Sequence, residues 1–237
     1  MMDLDHHLTL AIEDNVAWCE VVCATHDLDE RLSESIWVNL RPSPRFYPNI
    51  ITRRRGAQAT VIKAIDEIRA RGAMPRWGIK DSYADLDLDA FGFQPVIEAN
   101  WYIRHPQPAP ASALHSWACV TTAHDLLAWE DAWNGEDRQA DEQRLFRCSI
   151  LNAKGVAFWQ RGFPGKIHAG FITHDSMLVV GLSNWFCANE ETLDGQTVVS
   201  AAAALFPQRS IVFWSAGDAS SADVVSLGPL RVWISTE

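Results

Sequence analysis

Apolar positions recur at helical spacing through residues 8–25, LTLAIEDNVAWCEVVCAT, where Leu8, Ile12, Val16 and Cys19 or Cys23 share one face. The chain then alternates between strand-like and helix-like patterns. SIWVNLR (35–41) and NIITRR (49–54) read as strands, separated by a PSPRFYP loop in which Pro42, Pro44 and Pro48 forbid a helix. Residues 56–72 read as a helix with Val61, Ile62, Ile65 and Ile68 inward and Gly72 as its stop. RWGIKDS is a strand, YADLDLDAF a short helix, and residues 94–104 a strand.

After HPQPAPASA (105–113), whose prolines and alanines read as a semi-rigid linker, the alternation resumes. HSWACVTT is a short strand, 123–134 a helix stopped by Gly135, and a second helix follows a polar loop to about 153. GVAFWQRG and KIHAGFITH form a hairpin around Gly162, Pro164 and Gly165. MLVVGLSNWFC (177–187) is an apolar strand, DGQTVVSAAAALF a helix, and SIVFWSAG a strand. A short helix near 221–227 then reaches Gly228, and PLRVWIST is the last strand.

The two halves echo each other. VAWCEVV (16–22) matches LAWEDAW (127–133), each on the first helix of its half. Each half also ends in a short helix, a glycine and a strand carrying a tryptophan, Trp101 or Trp233. The pattern points to a unit of about 110 residues occurring twice. The expected organisation is a unit over 1–105, a linker over 106–113 and a unit over 114–237.

Composition narrows the function. The 237 residues are 48% hydrophobic and 21% charged, with 11 Trp that require a substantial core. They leave room for an apolar homodimer surface. A formal net charge of -10 argues against nucleic acid, whose phosphates call for Lys and Arg. It leaves open a small anion held at a helix N-terminus. No signal peptide and no membrane span are read from the sequence, and five Cys without a CxxC pair fit a reducing cytoplasm.

Strand, helix, strand, short helix, Gly-Phe or Gly-Pro, strand is the order in which each half closes, as in AFGFQPVIEANWYIR and SLGPLRVWIST. In this it resembles the GNAT superfamily of acyl-CoA N-acyltransferases. The resemblance implies an α/β (α+β) fold of two tandem GNAT-like units, each a mixed, mostly antiparallel sheet flanked by helices, the first incomplete or degenerate. It implies transfer of an acyl group from acetyl-CoA or another acyl-CoA to the amine of a small molecule or peptide. In that family the fourth strand splays from the fifth and pantetheine enters the wedge. Gly181, Ser183 and Asn184 interrupt the apolar strand as a bulge does. The resemblance assigns the pantetheine rail to Leu182, Ser183, Asn184, Trp185 and Phe186. It assigns the pyrophosphate to the next helix start, where Asp194 is the N-cap and Gly195, Gln196 and Thr197 present amides. Glu190 or Glu191 is the candidate base.

The chain departs from the family in two respects. NEETLDGQTVV does not spell the phosphate loop, and in the first half RRRGAQA (53–59) keeps Arg53 and Gly56 but places Gln58 where a small residue belongs. The tyrosine that protonates the CoA thiolate is replaced by Asp89 and Val225, three residues before each glycine, and Tyr83 stands too far upstream. These departures leave a second reading open, a degenerate GNAT-fold pair serving as a binding or interaction module.

Other motifs are weaker. GLSNW lacks the second glycine of a nucleophile elbow. Asp85, Asp87 and Asp89 start a calcium-loop spacing that Ala90 and Val96 break, which makes a solvated helix face the simpler reading. His6 and His7 read as a frayed terminus. His168 and His174 share a strand face by their even spacing and could pair as acid and base beside Asp175 or Glu191. No metal site is expected.

Overall fold

The computed structural model describes residues 4–28, 30–72, 76–107, 116–135, 144–163, 166–187 and 195–236. Two compact units divide the chain: Met1–Trp101 with Trp214–Asp218 and Ser226–Glu237, and Tyr102–Phe213 with Ala219–Val225. The sequence reading assigned 226–237 to a contiguous second block, whereas here these residues cluster with the first unit. Most of the anticipated linker, from 108 on, lies outside the described residues.

In the first unit, helix α1 (Leu4–Thr25) precedes strands β1 (Glu30–Leu32), β2 (Ile36–Asn39) and β3 (Ile50–Thr52), helix α2 (Gln58–Ala70) and strands β4 (Gly78–Asp81) and β5 (Phe93–Arg104). The last strand of the chain, β11 (Val224–Ser235), joins this unit from Ser226 on. Its strands run in the order β1-β2-β3-β4-β11-β5. The pairs β1–β2, β2–β3 and β4–β11 are antiparallel, while β3 and β4, joined through α2, are parallel. The periodic positions of α1 are buried as their spacing predicts, with Leu8, Ile12, Val16, Cys19 and Cys23 all inside. On α2, Val61, Ala64, Ile65 and Ile68 pack with Ile50, Ile79, Trp77, Phe93 and Trp233 into one core cluster. Gly72, at φ 119°, ends the helix in a conformation that a side chain resists.

The second unit comprises β6 (Ala118–Cys119), α3 (Ala123–Asn134), β7 (Val156–Phe163), β8 (Lys166–Asp175), β9 (Val179–Cys187), α4 (Gly195–Leu205) and β10 (Ser210–Ser215), of which Ser210–Phe213 lie in this unit. The order is β6-β7-β8-β9-β10, with the end of β5 beside β10. Pairing is antiparallel from β6 to β9, and β9 and β10, joined through α4, are parallel. Thr122 caps α3 by accepting the Asp125 N–H at 3.1 Å. On one face, Val198, Val199 and Ala201–Ala203 of α4 pack on Phe171, Val180, Leu182, Ile211 and Phe213. On the other, Trp129 of α3 meets Phe158 and Phe186 edge to face, with centroids 5.1 and 5.2 Å apart.

Three anticipated elements differ. Residues 83–88 are not helical, and only Asp89–Phe91 make one 3-10 turn. The helix expected near 221–227 is absent, and β11 starts at Val224. Of the second helix expected before 153, the described part is a 3-10 turn, Cys148–Asn152. Strand β1 had not been anticipated.

Candidate functional site

Strand β9 is a run of apolar residues broken by Gly181, Ser183 and Asn184, and the break is a bulge. Ser183 pairs with Ile172 and Phe186 with Gly170, so Asn184 and Trp185 together oppose Phe171 alone. Asn184 takes φ 49°, the left-handed region that asparagine tolerates better than most residues. The extra residue reverses the alternation of side chains. Val180, Leu182 and Trp185 lie on the α4 face. Phe186 turns to the opposite face, against Trp129.

On its other edge β9 pairs with β10 through Val179–Ser210, Val180–Ile211 and Gly181–Val212, and the ladder ends there. Leu182, Ser183, Asn184, Trp185 and Phe186 follow the last of these pairs and make no ladder pair with β10. Leu182 is buried and the other four are half-buried. The Trp185 ring leans on Phe213 with centroids 5.5 Å apart. It also reaches the start of α4, where a Cβ on Gly195 would lie 3.7 Å from the indole. Gly195 and Gln196 are exposed and Thr197 is half-buried, in the first turn of a helix whose dipole favours an anion at this end. The catalytic candidates Glu190 and Glu191, and the expected N-cap Asp194, lie outside the described residues. A bulged strand backbone beside a helix N-terminus suits in kind a pantetheine arm ending in a pyrophosphate.

The corresponding place in the first unit, between the parallel strands β3 and β4, is bridged. Their ladder runs through Ile50–Ile79 and Ile51–Lys80. Beyond it the Ser82 N–H donates to Thr52 Oγ1 at 2.7 Å and the Tyr83 hydroxyl donates to the Arg53 carbonyl at 3.1 Å. Burial pushes the Tyr83 phenol above its ordinary value, and the nearby Arg55, whose guanidinium lies 4.7 Å over the ring, pulls it back. Arg53 pairs with Glu13 at 2.6 Å and Arg54 with Glu34 at 3.0 Å. Asp85 and Asp87, read from the sequence as a solvated helix face, lie on no helix. The Asp85 carboxylate accepts the Gly56 N–H at 2.9 Å, and the Asp87 N–H donates to the Gln58 side chain at 3.0 Å. Sequence reasoning missed this arrangement. The signal was present in the strict alternation of Leu86 and Leu88 with Asp85, Asp87 and Asp89.

His168 and His174 are not brought together. Six residues apart on one strand, they are separated by roughly 20 Å. His168 is also the extra residue of a second bulge, since Arg161 pairs with Ala169 and Gly162 with Ile167. That breaks the even spacing on which the shared face depended. Among the described residues no group of three or more His, Cys, Asp or Glu could hold a metal ion, and no helix is long and apolar enough to cross a membrane.

No protein-family model matches the sequence, and no curated protein does. Solved structures do match in fold. A GCN5-related N-acetyltransferase from Kribbella flavida superposes with a TM-score of 0.56 at 12% identity, covering 94% of this chain and 95% of that one. One from Sphaerobacter thermophilus gives 0.53 at 11% identity, covering 86% and 81%. A functionally unknown conserved protein from Staphylococcus epidermidis gives 0.56 at 10% identity, covering 88% and 94%. The chain therefore has the α+β fold of GCN5-related N-acetyltransferases, a mixed, mostly antiparallel sheet flanked by helices.

Proposed function

We propose that this chain is an acyl-CoA-dependent N-acyltransferase of two tandem GNAT-like units, and that the second unit holds the acyl-CoA. The observation that supports this reading is the end of the β9–β10 ladder at Gly181–Val212, next to a bulge at Asn184 and Trp185. Pantetheine would run along the Leu182–Phe186 backbone, and the pyrophosphate would meet the amides of Gly195, Gln196 and Thr197. Glu190 or Glu191 would take the proton from the acceptor ammonium. The amine nitrogen then attacks the thioester carbonyl, the C–S bond breaks, and the CoA thiolate leaves with a proton to give amide and free CoA.

The second reading, a degenerate GNAT-fold pair serving as a binding or interaction module, has its own support. Of the three tyrosines, Tyr83 is tied to the Arg53 carbonyl, and Tyr102 is core, stacked on Phe213 at 5.4 Å. Tyr47 is also buried, in the first unit. None stands ready in the second unit to protonate a thiolate.

Calorimetric titration of acetyl-CoA into the protein and its Gly195→Glu variant tests both. Saturable binding that the variant loses supports the site. Release of free CoA with an amine panel, followed by chromatography, separates enzyme from module. Absence of both heat and thermal stabilisation at millimolar acetyl-CoA refutes the first reading for that ligand and leaves the module reading in the lead.

A further inference from the structure

The acidic stretch YADLDLDA leaves the end of β4 and crosses the start of α2 as a strap. Its anchors are inside: Leu86 and Leu88 are 4% and 0% exposed and belong to the core of the first unit. The buried Asp81 carboxylate fixes the root of the strap, accepting the Leu86 N–H at 2.9 Å and the Tyr83 N–H at 3.3 Å. Burial pushes that carboxyl above its ordinary range, and backbone N–H groups led by Leu86 hold it back.

The alternate residues face α2. No side chain of its own caps that helix, since the N-cap position is Ala57. The strap bonds around the helix start from 29 residues away. Asp85 takes the Gly56 N–H, and Gln58 exchanges two hydrogen bonds with the Asp87 main chain, at 2.6 and 3.0 Å. A carboxylate thus sits on the main chain that leads into the helix start, the end at which an anion is favoured. The arginines beside it, which from sequence alone favour an anion, are committed to Glu13, Glu34 and the Tyr83 ring. Tyr83 and Ser82 bridge the two strands that would have to part for a pantetheine arm.

We propose that the strap over residues 83–88 is a built-in occupant that closes the helix start of the first unit to phosphate, so that the chain takes one CoA and takes it in the second unit. The second clause rests on the reading above; the closure of the first unit does not.

Hydrogen exchange by mass spectrometry, on the full chain, separates them. With CoA, exchange slows in peptides covering 182–187 and 195–199 and is unchanged in 53–60. Slowing at 53–60 in the wild type overturns the proposal. Inorganic pyrophosphate is then titrated into the wild type and Asp85→Ala, with Asp85→Asn in its place should the alanine variant fail to fold by circular dichroism. Removing the carboxylate is expected to tighten pyrophosphate binding at 56–60 by about tenfold or more, the effect of one charged contact. An unchanged affinity overturns the closure. A chain that ignores CoA, yet gains pyrophosphate binding on loss of Asp85, refutes the acyl-CoA reading and leaves the closure standing.

Discussion

Gly170 is the point at which β8 lets two rings approach its backbone, and replacing it with alanine tests the packing that sets the bulge. A Cβ built there lies 2.5 Å from Phe186 Cε1 and 2.5 Å from Trp129 Nε1. Ordinary contact begins near 3.4 Å, so both rings must retreat by about 0.9 Å. Neither is a loose end. Trp129 is fully buried, meets Phe158 and Phe146 edge to face, and donates its indole N–H to the Trp159 carbonyl at 2.9 Å. Phe186 is pinned in turn by the bulge. In a close-packed interior the displacement is passed on to the neighbours. Overpacking of this kind costs about 1–3 kcal/mol, and losing the indole hydrogen bond about 1 kcal/mol more. Gly170→Ala is therefore expected to destabilise by about 2–4 kcal/mol, a fall of about 4–16 °C in Tm for a chain of this size. Urea denaturation followed by tryptophan fluorescence and far-ultraviolet circular dichroism measures it, with coincident curves licensing the free energy. Gly195→Ala is the control, because its Cβ finds only the Trp185 ring at 3.7 Å, and its change should stay within about 0.5 kcal/mol. A Gly170→Ala protein as stable as that control, with an unchanged m-value, would refute the close-approach argument.

Two further outcomes follow from buried charges. Lys80 lies inside the first unit, its ammonium 2.9 Å from Asn15 Oδ1 and 5.0 Å from the Trp214 ring centre, and burial holds its pKa below the ordinary 10.5. The unfolded chain then binds the proton more tightly than the folded one. Stability contributed by Lys80 accordingly rises as pH climbs from the lowered folded pKa towards 10.5. Lys80→Met should remove that rise without loss of stability at neutral pH, and thermal melts across the alkaline range that run parallel for the two proteins would contradict it. In the second unit, Arg104 donates to Asp223 at 2.6 Å, and this bond, with a second from Ser221, lowers the Asp223 pKa from 3.8. The pair contributes fully above pH 3.8 and is lost as pH falls through the lowered folded value, so Asp223→Asn should cost about 1–3 kcal/mol at neutral pH, with its Tm converging on wild type in acid. A gap independent of pH would contradict it.

The local elements were largely legible. α1, α2 and α3 carry apolar periodicity, α2 and α3 with stops at Gly72 and Gly135, and the β7–β8 hairpin announces itself through its glycines. The misread places have a physical cause. In β11 the buried residues Val224, Leu227 and Leu230 recur every third position, which imitates a helical stripe. In 83–88, aspartate and leucine alternate because the leucines are buried and the aspartates exposed, and the Asp85 carboxylate reaches the Gly56 N–H across 29 residues. The break in β9 was visible in its Gly, Ser and Asn. That Phe186 would turn to the α3 face was not, because the reversal depends on which residue of the bulge is unpaired.

Ser226–Glu237 also bear on how this chain can fold as it is made. β11 pairs Arg231, Val232, Trp233 and Ile234 with Asp81, Lys80, Ile79 and Gly78, and Trp233 fills the core under α2. The Ser235 N–H donates to the Trp77 carbonyl at 2.9 Å and the Thr236 N–H to that of Gly92 at 2.9 Å. Until the ribosome has delivered those residues, the first unit lacks an inner strand and a core tryptophan, and the edges of β4 and β5 stay bare. The usual order of synthesis, in which the first-made unit completes itself while the rest is still being translated, is closed to this protein. The first unit cannot complete its sheet before the second has been made, and a nascent chain stalled within the second unit would expose an open sheet for chaperones to guard.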